Sequence, residues 1–422
     1  MSLRHRFLEA LRARLGAGGL PLRIVFWDGE AFDFAPAPAV TIALSSRRLL
    51  RRFLTGDMGR LAEAYVAGEL AVDGRVEDVL RVGIALAERL GKAPVLRRLT
   101  LLAARLPRRQ SKARDAAAVR YHYDVSNEFY RLWLDRHMIY SCAYFITGAE
   151  DLDTAQEQKL DHICRKLRLA PGERLLDIGC GWGGLLNWAA AHYGVSGVGV
   201  TLSRPQAELA RERAAQSGLT ERLEFRVEDY RDIAGEGEFD KIVSVGMYEH
   251  VGIANLPRYF ATIARLLKPG GLMLNHGITA GDRDGRAQGP PGGEFIDRFV
   301  FPGGELPHIS RALYEIAGAG LEIVDVEDLR PHYPPTLKHW VRRLEAAREA
   351  AIAAAGIERY RIWRLYMAGM AHAFDRDWLS VAQVLAIKPL PRGPAPRPWT
   401  RQYQYVPEAP VPLAGTLDWG EL

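Results

Sequence analysis

The sequence predicts an open, doubly wound α/β sheet, preceded by a small mixed α/β domain. Three observations carry this. From about residue 174, short apolar runs alternate with amphipathic stretches of helical length. A glycine-rich loop directly follows the first of those runs. The texture also changes near residue 120, where a basic, linker-like stretch gives way to an aromatic-rich one. Alternation of this kind implies right-handed βαβ units and a mostly parallel sheet covered on both faces.

Three segments are expected, 1–110, 111–390 and 391–422. In the first, LRIVFW (22–27) and AVTIAL (39–44) read as strands, and 46–67 and 76–90 as helices. The N-terminus reads as an amphipathic helix, with Leu3, Phe7, Leu11 and Leu15 at i, i+4 spacing between arginines. Residues 89–120 hold ten basic side chains and one acid, Asp115. They read as a basic helix followed by an exposed linker around Pro107 to Asp115.

In the second segment, the aromatic-rich stretch from Tyr121 to Phe145 reads as one or two covering helices, and 151–169 as an amphipathic helix with an acidic start. Strands follow at 174–179, 196–200, 223–227, 239–247 and 271–278. Helices lie between them at 183–193, 204–217 and 255–267, the last stopped by the turn signal KPGG. Helices at 308–319, 336–354 and 357–375, and a strand at 321–327, complete the segment. The Pro-rich tail reads as irregular.

Composition narrows the function. Of 422 residues, 48% are hydrophobic and 25% charged, which excludes disorder or a collagen-like repeat as the main state. The net charge of +5 is uneven: residues 1–120 carry 22 basic and 12 acidic side chains. A basic front suggests an anionic partner, such as lipid, nucleic acid or an acidic metabolite. Cys142, Cys164 and Cys180 suit neither a disulfide framework nor zinc spacing, so no metal is expected and a reducing cytosol is favoured. No apolar run is long enough to span a bilayer.

The strongest motif is Asp177-Ile178-Gly179-Cys180-Gly181-Trp182-Gly183-Gly184, between a strand and a helix. Gly179 and Gly181 let the backbone turn sharply and approach a ligand. A nicotinamide site keeps a pyrophosphate at the helix N-terminus and its acid about 20 residues later. Here the acid sits inside the loop, where it would repel a diphosphate and attract a cationic or zwitterionic ligand, such as the methionine part of S-adenosylmethionine. Thr201 and Leu202 end the second strand, Gln206 offers polar contact to a ribose, and Asp229 and Tyr230 offer a carboxylate and a ring to adenine. Glu249 and His250 lie just past the fourth strand, and His276 ends the fifth. All three stand at the carboxyl edge, where open α/β sheets bind ligands.

YHYDVSNEFYRLWLD, YSCAYF, LDIGCGWGG, GVTLSRPQ, FDKIVSVGMYEHVG, NHGI, FPGGELP and HYPPTLKHW, in that order, resemble the cyclopropane-fatty-acyl-phospholipid synthase family, which includes the mycolic acid cyclopropane synthases. The likeness runs from about residue 120 to 388. It implies a Rossmann-like, class I methyltransferase fold with a helical cover over a lipid channel. The basic N-terminal region resembles the extra domain of the phospholipid-acting members.

The resemblance further implies S-adenosylmethionine as cofactor and bound bicarbonate as general base. The bicarbonate positions would be Cys142, Glu249, His276, the Ile278 backbone and Tyr333. Glu249 would accept from the bicarbonate OH, and His276, Tyr333 and the Ile278 amide would donate to its oxygens. Tyr140 and Ser141 would touch the cofactor, whose pocket Gly179, Gly181, Thr201, Leu202, Gln206, Tyr230 and Val245 would line. Tyr123, Phe145, Phe299 and Trp340 are the aromatics expected to stabilise a carbocation. One departure stands out: many members carry a cysteine in a YxxxCAxxF context, where this chain has Met370 between Tyr366 and Phe374. Tyr366, Met367 and Met370 are expected along the acyl channel.

The implied reaction is methylene transfer to the cis double bond of phospholipid acyl chains, at the inner face of the membrane, by a cytoplasmic, peripheral enzyme. Anionic lipid is the expected partner, nucleic acid is not, and a homodimer is compatible. The alternatives are methylation without ring closure, a small-molecule N-methyltransferase, and a catalytically silent lipid-binding protein.

Overall fold

The computed structural model of the chain describes residues 8, 9, 12, 20–54, 58–90, 126–282, 295, 296, 299, 300, 305–406, 413 and 414. The expected N-terminal helix (save Leu8, Glu9 and Arg12), most of the basic 89–120 stretch, Tyr123 and residues 407–412 and 415–422 of the tail lie outside them. The chain divides into two compact units. The first comprises 1–109, 289–303 and 340–372; the second comprises 110–288, 304–339 and 373–422. Residues 340–372, which the sequence order places within 111–390, therefore group with the N-terminal residues.

In the first unit, β1 (Leu22–Val25), β2 (Ala31–Asp33), β3 (Val40–Leu44) and β4 (Leu70–Asp73) form one sheet in the order β2-β1-β3-β4. The Asp28-Gly29 turn, with Gly29 at φ 81°, reverses the chain between β1 and β2. The alternating residues Leu22, Ile24, Val40, Ile42 and Leu44 are buried. They pack with Leu49 of α1 (Arg47–Leu54), Leu61 and Tyr65 of α2 (Met58–Val66), and Val82 and Leu86 of α3 (Val76–Leu90). Each such side chain contributes roughly 1.5–3 kcal/mol of burial. The short β2 and β4 escaped the sequence reading, because three or four residues carry little periodicity.

The second unit begins at α4 (Asn127–Arg131), capped by Ser126, whose Oγ accepts from the Phe129 amide. Residues 132–151 then run without regular helix, against the expectation of covering helices. Acidic side chains take the backbone amides that a helix would use. Asp135 accepts from His137 and Ile139, and Glu150 accepts from Ile146, Thr147 and Gly148. α5 (Leu152–Lys166) follows, capped by Asp151.

The large sheet has seven strands in the order β7-β6-β5-β8-β9-β11-β10. These are β5 (Arg174–Ile178), β6 (Ser196–Thr201), β7 (Leu223–Val227), β8 (Phe239–Val245), β9 (Leu267–Ala280), β10 (Glu322–Asp328) and β11 (Leu379–Ile387). Every pair from β7 across to β9 is parallel, while β11 is antiparallel to both of its neighbours. The helices α6 (Gly184–Tyr193), α7 (Arg204–Gln216), α8 (Leu256–Leu266) and α9 (Ile309–Gly318) lie within a few residues of their sequence expectation. So do β5–β8 and β10.

KPGG stops α8 as expected, but without a turn between helix and strand. It lies within β9, with Gly270 at φ 78° and a register shift opposite Phe239–Lys241. The glycines relax into a bulge instead. α10 (Tyr333–Ala346) and α11 (Arg348–Asp375) cover the two late helices, and the break expected between 354 and 357 is a kink at Gly356. In the tail, β12 (Arg397–Pro398) pairs with β13 (Leu413–Ala414), and α12 spans Gln402–Tyr405. No helix among the described residues is long and apolar enough to cross a membrane.

Candidate active site

The order of strands reverses between β5 and β8, and the glycine loop opens there. Gly179 and Cys180 both donate to the Val200 carbonyl, at 2.9 and 3.1 Å. Gly179 holds φ 84°, and a Cβ there would meet the Met247 side chain at 2.8 Å, so only glycine fits. Around this loop, every residue that the sequence assigned to the cofactor pocket lines one cavity: Tyr140, Ser141, Asp177, Gly179, Gly181, Thr201, Leu202, Gln206, Asp229, Tyr230 and Val245.

Several of these groups are already committed. Thr201 Oγ donates to Gln206 Oε1 at 2.8 Å, which leaves the Gln206 amide nitrogen as the donor to a ligand. The Asp229 carboxylate is clamped by Arg231, at 2.8 Å from Nε and 2.6 Å from Nη2, and also accepts the Arg231 amide. Arg231 thus fixes the orientation of the carboxylate expected beside adenine, which still lines the cavity. Tyr230 is buried and packs edge-on against Tyr259, with ring centroids 5.2 Å apart.

Asp177 is buried at the end of β5, and burial raises its carboxyl to about 7. Lys159 of α5 opposes that rise. It is also buried, is lowered by desolvation to about 8, and donates to Ser141 Oγ at 2.9 Å. Gln156, one turn earlier, donates to the Ser141 carbonyl at 2.9 Å. The helix thus fixes the Tyr140–Ser141 segment from beneath. Sequence reading passed over Lys159, although a lysine on the apolar face of 151–169, three residues after Gln156, was a visible signal. It also passed over Trp182, Met247 and Arg231 as lining residues. His250 lines the cavity too, and burial lowers it to about 4, so it is neutral at physiological pH.

The second group of expected residues lies at the same sheet edge. Glu249 is buried in a short 3-10 turn after β8, and burial raises its carboxyl to about 7. Its Oε1 accepts the Ile278 amide at 2.6 Å, while Oε2 is buried without a hydrogen-bond partner among the described residues. The amide expected to donate to bicarbonate therefore donates to Glu249 here. The Tyr248 hydroxyl donates to the Ile278 carbonyl at 2.7 Å, so one turn grips both polar groups of that residue. His276 is buried opposite Val245 in the β8–β9 register, and its carbonyl accepts the Gly246 amide at 2.8 Å. Cys142 is fully buried with its thiol pushed well up, which removes it as a nucleophile. Tyr333 is buried with its ring 4.5 Å from that of Phe374.

Of the expected aromatics, Phe145 is buried and stacks on His332 and His339. Phe299 and Trp340 belong to the first unit, as do the buried Tyr366, Met367 and Met370. No group of three or more His, Cys, Asp or Glu among the described residues could hold a metal.

The family described as mycolic acid cyclopropane synthetase matches residues 110–384. The chain belongs to that family. A separate domain of unknown function matches 16–91. A "Probable fatty acid methyltransferase" of Pseudomonas putida is 48% identical over 388 residues, covering 92% of this chain and 96% of its own length. The "Cyclopropane-fatty-acyl-phospholipid synthase" of Escherichia coli K12 is 39% identical over 296 residues, covering 70% of this chain and 74% of its own. The solved structure of mycolic acid cyclopropane synthase CmaA1 complexed with SAH and CTAB superposes with a TM-score of 0.61 at 35% identity. It covers 65% of this chain and 98% of that one.

As a methyltransferase of this family, the chain should fit an S-adenosyl ligand, and its cavity does. The buried Asp177 carboxyl stands at the end of β5 where the glycine loop opens, close backbone approach is possible at Gly181, where nothing lies within 4 Å of an added Cβ, and an amide donor remains on Gln206.

Proposed function

We propose that this protein transfers a methylene unit from S-adenosylmethionine to the cis double bond of phospholipid acyl chains, closing a cyclopropane ring. The observation that carries the reading is the buried Glu249 carboxylate, with one oxygen tied to Ile278 and the other unpartnered. A buried acceptor without a donor costs about 1–3 kcal/mol and marks a place for a hydrogen-bonding guest.

S-adenosylmethionine supplies an electrophilic methyl group. An isolated alkene is a weak nucleophile, so the chain must hold the two in line. Asp177 and Gln206 would hold the ligand, and the Lys159–Ser141 bond keeps Tyr140 in place beside it. The cation left on the acyl chain must be kept from water, so the site must be apolar and closed around it. Ring closure then requires loss of a proton. Bicarbonate would supply the base, held by Glu249 Oε2, His276 and Tyr333 beside Cys142; the Ile278 amide is spent on Glu249 and is not counted in that set. The same proposal places the enzyme peripherally on anionic lipid at the inner face of the membrane, as a monomer or homodimer.

A second reading is favoured by the 48% identical relative named a fatty acid methyltransferase. It shares the transfer step and loses its proton elsewhere, leaving a branched or methylene-substituted chain. Incubation with S-adenosylmethionine and liposomes of cis-unsaturated phospholipid, followed by gas chromatography and mass spectrometry, separates the two. A gain of CH2 with the double bond consumed is expected. A gain of CH2 with the double bond retained selects the second reading. No lipid product from protein that still binds the ligand would sink both.

A further inference from the structure

Strands β10, β11 and β9 place three polar residues in one transverse row, Glu327 opposite Gln383 and Gln383 opposite His276. Gln383 is fully buried, and its amide nitrogen lies 3.2 Å from Nδ1 of His276. Glu327 does not compete for that amide, since its carboxylate meets His162 Nε2 at 2.7 Å and Lys166 Nζ at 2.5 Å. Gln383 Oε1 has no partner among the described residues. The amide thus makes one directional contact within the site, and it makes it to His276.

A neutral imidazole carries one hydrogen, and a donor facing Nδ1 forces that hydrogen onto Nε2. We propose that Gln383 is a positioning residue that holds His276 in the neutral tautomer with Nδ1 accepting and Nε2–H available to donate. This rests on the proposed function, which requires His276 to donate a hydrogen bond at the base site. The surroundings agree. Burial, foremost, with Lys159, Lys166 and His332 disfavours the imidazolium and outweighs Glu327, which favours it. A backbone carbonyl or a carboxylate in the place of Gln383 would impose the opposite tautomer. An aliphatic side chain would impose neither.

Nitrogen-15 NMR of histidine-labelled full-length protein tests this, with the His276 pattern assigned by its loss in His276→Gln. The wild type should show unprotonated Nδ1 and protonated Nε2 at pH 7. Gln383→Glu should put a hydrogen on Nδ1, and kcat on liposomes should fall at least tenfold with KM for S-adenosylmethionine little changed. Gln383→Met, of similar length, should give a mixture of tautomers and an intermediate kcat. A wild-type His276 protonated on Nδ1 overturns the proposal, as does a Gln383→Glu spectrum and kcat matching the wild type. The tautomer is read without lipid. The expected spectra with no alkene methylation would therefore sink the proposed function and leave the positioning role standing.

Discussion

The backbone amide of Ile278 donates to Glu249 Oε1 at 2.6 Å, and this single bond ties the turn after β8 to the C-terminal end of β9. It orients a buried carboxylate whose second oxygen has no hydrogen-bond partner among the described residues. The carboxylate is raised to about 7 by that burial, with the Ile278 amide pulling it back down.

Replacing Glu249 by Gln should therefore split activity from stability. Glu249 would hold the base rather than act as it; a general base is worth about 10²–10⁴ in rate, so losing its holder should cost at least a hundredfold in kcat. The unfolded carboxyl ionises near 4.5 and the folded one near 7, so the folded state binds more protons between those values. Stability therefore falls as pH rises through that window, by an amount on the order of 3 kcal/mol. The Gln variant is spared this. Thermal unfolding without ligand should show it more stable than the wild type at pH 8 and no more stable at pH 4.5. Equal differences at both pH values would refute this account.

The same ionisation predicts a pH profile. At saturating substrates, kcat should rise with pH along a limb centred near 7, as Glu249 becomes the carboxylate that accepts a hydrogen bond. A flat kcat from pH 5.5 to 8.5 would show that Glu249 does not titrate in the working enzyme.

Lys159 should be read through ligand binding. Its ammonium opposes the rise of Asp177, so Lys159→Met should lift that carboxyl further above 7 and leave it largely neutral at pH 7. Calorimetry with S-adenosylhomocysteine should show affinity weakened on the order of tenfold at pH 7, the worth of about one pH unit. The deficit should shrink at pH 8.5, where Asp177 ionises. A deficit independent of pH would point to lost packing instead.

Gly277 precedes Ile278, and a Cβ there would lie 2.0 Å from the Tyr248 ring. That ring cannot swing away without losing the Tyr248 bond to the Ile278 carbonyl. Gly277→Ala should lower stability by about 1–3 kcal/mol in denaturant titrations and cut activity with it. Gly318, at the end of α9, has nothing within 4 Å of an added Cβ, and Gly318→Ala should be neutral or slightly stabilising. Similar losses in both would contradict the steric argument.

By itself the sequence determined the order of strands and helices from 174 to 328, the glycine loop with its leading Asp177, and the placing of Glu249 and His276 at one edge of the sheet. Those features rest on local periodicity and turn chemistry, which neighbouring residues carry. Tertiary structure alone decided the rest. The insertion of β11 between β9 and β10 set Gln383 beside His276, more than 100 residues away in the chain. The capture of amides by Asp135 and Glu150 ended at Arg131 the helical stretch expected over Tyr121 to Phe145. The burial of Lys159, Asp177 and Glu249 shifted all three toward neutrality. Each of these depends on strand pairing or loss of water, and both are made by residues distant in sequence.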